Sequence, residues 1–138
     1  MSSWAAYIQN LEAGKGRCKY AGIFGKNPVA VWAESADKSM FPITIDDVAT
    51  VAKAIQCADS GIMGTGITIG GKLSFTCLRM EQDVLICQGK GDYKDFSLVI
   101  ALSGQAVIIG FNPDPEVKTN YVRDAVEVIR DYLKNVNY

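Results

Sequence analysis

Residues 2–11 are the stretch around which the chain is organised, and they read Ser2-Ser3-Trp4-Ala5-Ala6-Tyr7-Ile8-Gln9-Asn10-Leu11. They predict a helix. A serine at position 2 or 3 can cap this helix, because its hydroxyl accepts a hydrogen bond from one of the unpaired N–H groups of the first turn. Gly14 supplies a stop at the other end.

The predicted helix carries two stripes of apolar side chains. Ala5, Ile8 and Leu11 fall on one stripe, which is the face we expect to be buried. Trp4 and Tyr7 form a second stripe beside it. A short helix needs only one apolar face to dock, and large rings with polar tips suit a surface that binds a ligand. We therefore predict that Trp4 and Tyr7 belong to a binding site.

Length and composition are typical of a single globular domain. The chain has 138 residues, of which 49% are hydrophobic and 21% charged. Its net charge of −1 gives no reason to expect bulk electrostatic binding to nucleic acid. The sequence has no run of about 18 apolar residues that would predict a membrane span, and its start does not resemble a signal peptide. We expect one cytoplasmic domain, residues 1–138, that is a monomer.

The four cysteines, Cys18, Cys57, Cys77 and Cys87, are not spaced like metal ligands. No pair has C-x-x-C spacing and the chain has no histidine, so no zinc site is predicted and no cofactor is expected. Without a secretion signal, the thiols are expected to be reduced and to act as small core residues. A redox or regulatory thiol is the minor alternative.

The segment after the first helix predicts an antiparallel hairpin. Residues 18–25 form an extended run, residues 26–28 have turn composition, and residues 29–33 form a second extended run. Side chains alternate between the two faces of a strand. Trp32 is therefore predicted on the face opposite Val29 and Val31.

Two helices and three further strands follow from the same patterns. Thr44 with Asp47 predicts a capping box, and a final helix begins near Thr119. The apolar stripes predicted for the two helices are Val48, Val51, Ala52 and Ile55, and then Val122, Val126, Ile129, Leu133 and Val136. Strands are predicted at residues 84–88, 96–101 and 106–111. The continuous apolar runs in the last two indicate burial on both faces, as in an antiparallel sheet with helices on each side.

The glycine-rich residues 61–73 contain a partial match to a phosphate-binding loop. Residues 66–72 fit G-x-x-x-x-G-K, but Leu73 stands where a serine or threonine should hold magnesium. The β-branched residues 67–69 favour extended chain over a bent loop. We therefore predict a strand, a Gly-Gly turn and a strand, with a nucleotide-binding enzyme as a distant alternative.

Nothing else in the sequence predicts catalysis. Histidine, the commonest general base at neutral pH, is absent, and there is no G-x-S-x-G nucleophile motif. The acidic residues stand at caps, in turns and on helix surfaces, where solvated side chains are the default. We expect a binding protein and not an enzyme.

Five motifs stand in order along the chain: S-x-W-x-x-Y-I-x-x-L at 2–11, V-W-A at 31–33, G-I-T-I-G-G-K at 66–72, A-V-I-I-G-F at 106–111, and D-Y-L at 131–133 with the final aromatic residue. With these motifs the chain resembles a profilin. The resemblance implies a single profilin-like domain of α/β (α+β) type. Its central antiparallel sheet would have about six or seven strands, with the N- and C-terminal helices on one face and short helices on the other.

The resemblance also implies a groove for proline-rich segments, such as those of formins, built from Trp4, Tyr7, Trp32, Tyr132 and Tyr138. Many vertebrate members hold a histidine where this chain has Tyr132. Tyrosine keeps a ring and a hydrogen-bond donor, so we expect binding to survive.

A second implied site binds actin monomers and regulates their polymerisation. The candidates carried over from the family are Thr76, Arg79, Lys90, Ser97, Val117, Asn120, Arg123 and Glu127. Some relatives also bind phosphoinositides through basic residues near the turn at 89–91. This chain has fewer cations there, and each missing cation removes about 1 kcal/mol of attraction, so weaker binding is expected. The alternative function is a small α/β sensory or trafficking adaptor with a ligand pocket or dimer interface.

Overall fold

The extended runs form one seven-stranded antiparallel sheet in the computed structural model, which describes residues 4–14 and 17–138. The strands are β1 (Tyr20–Lys26), β2 (Val29–Glu34), β3 (Ile67–Ile69), β4 (Leu73–Glu81), β5 (Val84–Gly89), β6 (Ser97–Leu102) and β7 (Ala106–Asn112). Their order across the sheet is β2-β1-β7-β6-β5-β4-β3. The predicted antiparallel sheet is confirmed.

Helices cover both faces of the sheet, as predicted. They are α1 (Trp4–Ala13), α2 (Ile45–Gln56), α3 (Gly61–Thr65) and α4 (Thr119–Asn135), together with a 3-10 turn at Gly91–Tyr93. The helices α1 and α4 pack side by side on one face, while α2 and α3 lie on the other. Among the described residues, no helix has both the length and the apolar character needed to cross a bilayer.

The core consists of two layers, one on each side of the sheet. The layer under α2 is rich in rings, including Phe41, Phe75 and Phe111, while the layer under α1 and α4 is mainly aliphatic. All residues of β6 and β7 are buried, because both layers cover these central strands. This confirms the prediction from their continuous apolar runs.

A capping box begins α2, and a glycine in β7 allows α4 to pack closely on the sheet. Thr44 Oγ1 accepts a hydrogen bond from the Asp47 backbone N–H and Asp47 Oδ2 accepts one from that of Thr44, both at 3.1 Å, so the predicted capping box is present. On the other face, Gly110 lets α4 approach β7. A Cβ atom at Gly110 would lie only 2.6 Å from Val126 Cγ2, so a larger residue would push the helix away.

Three side chains that the sequence predicted in the core are exposed: Ala5, Cys57 and Val136. Three residues of an α-helix turn through about 300°, so side chains spaced by three are displaced by about 60° around the helix at each step. Ala5 therefore lies about 120° from Leu11 on α1. Cys57 follows the last residue of α2, and Val136 follows the last residue of α4. Helical periodicity does not hold beyond the end of a helix, so the prediction for Val136 was wrong. Cys57 was expected in the core only because reduced cysteines are usually buried, and that prediction was also wrong.

Several predicted boundaries also differ. The first strand begins at Tyr20 and not at residue 18. Residues 61–65 form α3, so the extended segment predicted before the Gly-Gly turn is reduced to the three residues of β3. The Asp59 carboxylate accepts a hydrogen bond from the Gly61 N–H at 2.8 Å, which satisfies one unpaired group at the start of α3. The predicted serine cap at positions 2 and 3 lies outside the described residues.

Candidate functional site

Five aromatic side chains from separate parts of the chain meet at one end of the α1–α4 pair. They are Trp4 and Tyr7 on α1, Trp32 on β2, Tyr132 on α4, and Tyr138. Trp4 is central, with ring centroids 4.9 Å from Trp32, 5.3 Å from Tyr138 and 5.6 Å from Tyr7. Tyr7 extends the set to Tyr132 at 5.8 Å. We call these five side chains the aromatic groove.

A β-bulge and a glycine position Trp32. The register of β1 and β2 shifts so that Ile23 pairs with Ala33 and Phe24 with Val31, which leaves Trp32 as the extra residue of a bulge. The indole lies over Gly25, where a Cβ atom would be 2.9 Å from Trp32 Nε1. Trp32 packs against the core layer under α1 and α4 and Val29 against the layer under α2, so the opposite faces predicted from strand alternation are confirmed, while the bulge itself is not revealed by the sequence pattern.

Tyr138 is held by the turn between β6 and β7. Its carbonyl oxygen accepts hydrogen bonds from Ser103 Oγ, at 2.7 Å, and from the backbone N–H of Gln105. Its own N–H donates to the Leu133 carbonyl at 2.7 Å. Gln105 Nε2 also donates to the Asn137 carbonyl at 2.8 Å. These bonds fix the backbone from which the Tyr138 ring reaches Trp4.

The aromatic groove remains open to solvent. Trp4, Tyr7 and Trp32 are half-buried, while Tyr132 and Tyr138 are 49% and 42% exposed. Burial raises the pKa of the Tyr7 hydroxyl, and a hydrogen bond with Tyr132 raises it further. The hydroxyl therefore keeps its proton and can act as a donor. The groove offers flat apolar faces rimmed by indole N–H and phenol O–H groups, which can pack against a ligand and donate hydrogen bonds to it.

A second surface, at the start of α4 and on β4, carries a ladder of alternating charges. Arg79 Nη1 lies 3.2 Å from Glu81 Oε1, and Arg123 Nη1 lies 3.7 Å from the same oxygen. Arg123 Nε also donates to Glu127, which in turn lies 3.7 Å from Arg130 Nη2. A cleft of about 260 Å³ opens beside this ladder, and its lining residues are Leu78, Arg79, Ile86, Thr119, Asn120 and Arg123. We call this region the charged surface.

Two residues of the charged surface were missed by sequence reasoning. Leu78 is 51% exposed and is the extra residue of a bulge, where Cys77 pairs with Cys87 and Arg79 with Ile86. Arg130 is buried on α4, where its guanidinium donates to the Gln82 carbonyl at 2.9 Å and to Asp131. Strand alternation places Leu78 on the less buried face of β4, which is the signal that could have found it, whereas a buried cation leaves no mark on hydrophobic periodicity.

The structure separates the eight residues predicted for the second site. Arg79, Asn120, Arg123 and Glu127 lie on the charged surface, and Thr76 is partly exposed on β4. Ser97 and Val117 are each only 3% exposed. Ser97 is hydrogen-bonded to Thr119 across 2.7 Å. Both can position neighbouring residues, but neither presents its side chain to a partner, which corrects the prediction of direct contact.

Lys90, the remaining predicted residue, lies away from the ladder. Its Nζ is 3.5 Å from the carbonyl oxygen of Thr65 at the end of α3. The residues of the partial phosphate-loop motif lie near this lysine and form β3 and the turn at Gly70 and Gly71, through which β3 pairs with β4. In the chain as described, 4–14 and 17–138, no group of three or more acidic or cysteine side chains could hold a metal ion.

An α+β domain with an exposed aromatic groove and a separate charged surface has the features of a binding protein. Comparison with known proteins places the chain in a family. A family model described as Profilin matches residues 2–138. Profilin-1 of Entamoeba histolytica is 31% identical, and profilin of Saccharomyces cerevisiae is 32% identical, each over 99% of this chain and 99% of the relative. The chain belongs to the profilin family.

Solved structures share the fold over nearly the whole chain. Mouse profilin IIa in complex with a double repeat from the FH1 domain of mDia1 has a TM-score of 0.79 at 17% identity, covering 99% of this chain and 100% of that one. LokiProfilin2, in a complex with rabbit actin, has a TM-score of 0.74 at 14% identity, covering 99% of each chain. The predicted family and fold class are confirmed.

Proposed function

We propose that this protein binds actin monomers on the charged surface and proline-rich segments in the aromatic groove, and so delivers actin to assembly factors such as formins. The observation that carries the proposal is the groove itself, in which five Trp and Tyr rings converge while part of their surface stays open to solvent. The protein would act by binding, as a cytoplasmic monomer formed by residues 1–138, and not by catalysis.

The chemistry of the groove matches a polyproline II helix. Such a helix is largely preformed and has three residues per turn, so little ordering entropy is lost when it docks. Its pyrrolidine rings can pack between flat aromatic rings, and its carbonyl groups have no internal partners. The indole and phenol groups of Trp4, Tyr7 and Trp32 can donate to those carbonyls. The complex of mouse profilin IIa with an FH1 repeat supports this assignment.

The charged surface has the mixed character of a protein-binding site. The ladder supplies alternating charges, and Leu78 adds an exposed apolar side chain beside Arg79. Such a combination of an apolar centre with polar edges is common at protein interfaces. The profilin–actin complex among the structural neighbours supports actin as the partner. The groove and this surface share no residue, so one molecule could hold both partners and raise the local concentration of actin at an assembly site.

The proposal includes two further properties of the family, nucleotide exchange on actin and phosphoinositide binding. Binding to one nucleotide state of actin in preference to another would promote nucleotide exchange. Phosphoinositide binding is expected to be weak, because Lys90 is the only cation of the turn at 89–91. The alternative of an adaptor domain with buried tryptophans is disfavoured, because both Trp4 and Trp32 are partly exposed.

The groove is tested by titrating intrinsic tryptophan fluorescence with a proline decamer. Wild type should show saturable binding, and Tyr132→Ala should weaken it by about tenfold, because an aromatic face of the groove is lost. The matched control is Tyr121→Ala, a similarly exposed tyrosine on α4 that lies outside the groove. Equal losses of affinity in the two variants, or no binding by wild type, would show that the aromatic groove is not the binding site for proline-rich segments.

The charged surface is tested by equilibrium binding to fluorescently labelled actin monomers. Arg79→Glu should weaken binding by about tenfold, because it reverses a charge at the edge of the cleft. Lys53→Glu, the same charge reversal on α2 and on the opposite face, should have no effect. Neither variant should alter the affinity for the proline decamer. If Lys53→Glu proves as harmful as Arg79→Glu, the partner does not recognise the charged surface.

A further inference from the structure

Two buried cysteines face each other across neighbouring strands. Cys77 on β4 is paired in register with Cys87 on β5, and their Sγ atoms are 3.8 Å apart. The Cys87 thiol donates a hydrogen bond to Cys77 Sγ. They are 4% and 0% exposed and belong to the core layer under α2. Neither cysteine belongs to the aromatic groove or lines the cleft of the charged surface, and the function proposed above does not use them.

The backbone places the two thiols within disulfide range. Directly opposed residues of an antiparallel pair have Cα atoms about 4.5–5.5 Å apart, and disulfides span Cα separations of about 4.4–6.8 Å. Closing the bond requires the sulfur atoms to approach by rotation about the Cα–Cβ bonds. The bulge at Leu78 directly follows Cys77, so the strand is locally irregular where this adjustment is needed.

We propose that Cys77 and Cys87 form a redox-modification site that closes an intramolecular disulfide when the protein meets hydrogen peroxide. The Cys77 sulfur attacks one peroxide oxygen, the O–O bond breaks, and Cys77 becomes a sulfenic acid while one water is released. The Cys87 sulfur then attacks the Cys77 sulfur, the S–O bond breaks, and a second water leaves with the Cys87 proton. Two thiols are oxidised to one disulfide, and one peroxide is reduced to two waters.

The surroundings of Cys77 and Cys87 favour a different role for each thiol in this reaction. The hydrogen bond from Cys87, with the nearby charge of Lys90, lowers the pKa of Cys77, which favours the nucleophilic thiolate. The same hydrogen bond and burial raise the pKa of Cys87 well above its ordinary value. Cys18 is a buried thiol whose pKa burial raises to about 12, and Cys57 is exposed. Cys18, in the core layer under α1 and α4, is the internal control for a buried thiol, and Cys57 is the control for an exposed one.

The test is a tryptic peptide map of the folded wild-type protein after treatment with hydrogen peroxide. Free thiols are blocked with iodoacetamide in denaturant, and digestion is done without reductant. Cleavage after lysine and arginine places the four cysteines on four different peptides. We expect peptide 73–79 to be linked to peptide 80–90, with the loss of two hydrogen atoms, and the link to disappear with dithiothreitol. The Cys18 peptide should remain alkylated.

Two variants sharpen the result. Cys57→Ser should leave the 73–79 to 80–90 link unchanged, which excludes exchange through the exposed thiol. Cys87→Ala should abolish the link and leave a sulfenic acid at Cys77 that dimedone traps, provided circular dichroism shows a folded chain. The wild-type map decides the matter if that variant does not fold. Oxidation confined to Cys57, a link between two chains, or full alkylation of Cys77 and Cys87 would overturn the proposal.

Discussion

The molecule contains two clusters of aromatic rings with nearly the same spacing and different surroundings. The core cluster, under α2, consists of Tyr20, Phe41, Phe75 and Phe111, with ring centroids 4.5–6.4 Å apart and each side chain at most 1% exposed. In the aromatic groove the corresponding distances are 4.9–6.1 Å, and the rings reach solvent. Ring spacing alone therefore does not separate packing from binding.

The two clusters differ in their polar tips. Three of the four core rings are phenylalanines, and the one hydroxyl, on Tyr20, donates to Glu34 Oε1 at 2.7 Å. Every ring of the groove is a tryptophan or a tyrosine. A polar tip that is buried must find a partner inside the protein, whereas one at the surface is available to a ligand. Polar tips together with exposure are what indicate a binding surface here.

Removing a core ring should have the largest effect. Phe111→Ala is expected to lower the free energy of unfolding by about 3–5 kcal/mol, because it leaves a cavity beside Phe41 and Phe75. The measurement is urea unfolding followed by circular dichroism. The control is Trp4→Ala, which should destabilise the protein less while abolishing binding of the proline decamer. The comparison fails if Trp4→Ala destabilises the protein as much as Phe111→Ala.

Removing the core hydroxyl should have a smaller effect. Tyr20→Phe is expected to lower the free energy of unfolding by about 1.5 kcal/mol, because the hydrogen bond to the Glu34 carboxylate is lost. Urea unfolding measures the change. Affinity for the proline decamer should be unaltered, and a weakened affinity would show that the two clusters are coupled.

Removing a polar tip from the groove should change binding and not stability. Trp4→Phe keeps a ring but loses the indole N–H, so the affinity for the proline decamer should fall by about fivefold, or about 1 kcal/mol. The fluorescence of Trp32 still reports binding in this variant. An unchanged affinity would mean that the groove recognises its ligand through ring faces alone.

The smallest expected effect is on the titration of Tyr7. Its pKa in the folded protein is raised above the ordinary value of 10.0, so its contribution to stability is present below pH 10 and is lost as the pH rises through the folded-state pKa. The difference in tyrosinate absorbance between wild type and Tyr7→Phe should therefore have its midpoint above pH 10. A midpoint at or below 10 would show that neither burial nor Tyr132 affects this hydroxyl.

Local patterns in the sequence were sufficient for much of the fold. The Thr44–Asp47 capping box, the hairpin around residues 26–28 and the buried runs of β6 and β7 depend on neighbouring residues, and the structure contains all three. Predictions failed where a local period was extended too far, as at Ala5 and Val136.

The arrangement of the sites depended on tertiary structure. The sequence by itself determined which residue types were present, the helices and strands that carry them, and the motifs of the profilin family. Only the folded chain decided that the Trp32 ring meets the Trp4 ring, that bulges interrupt β2 and β4 at Trp32 and Leu78, and that Ser97 and Val117 are buried. The physical reason is that these outcomes depend on contacts between segments far apart in the chain, which no local periodicity encodes.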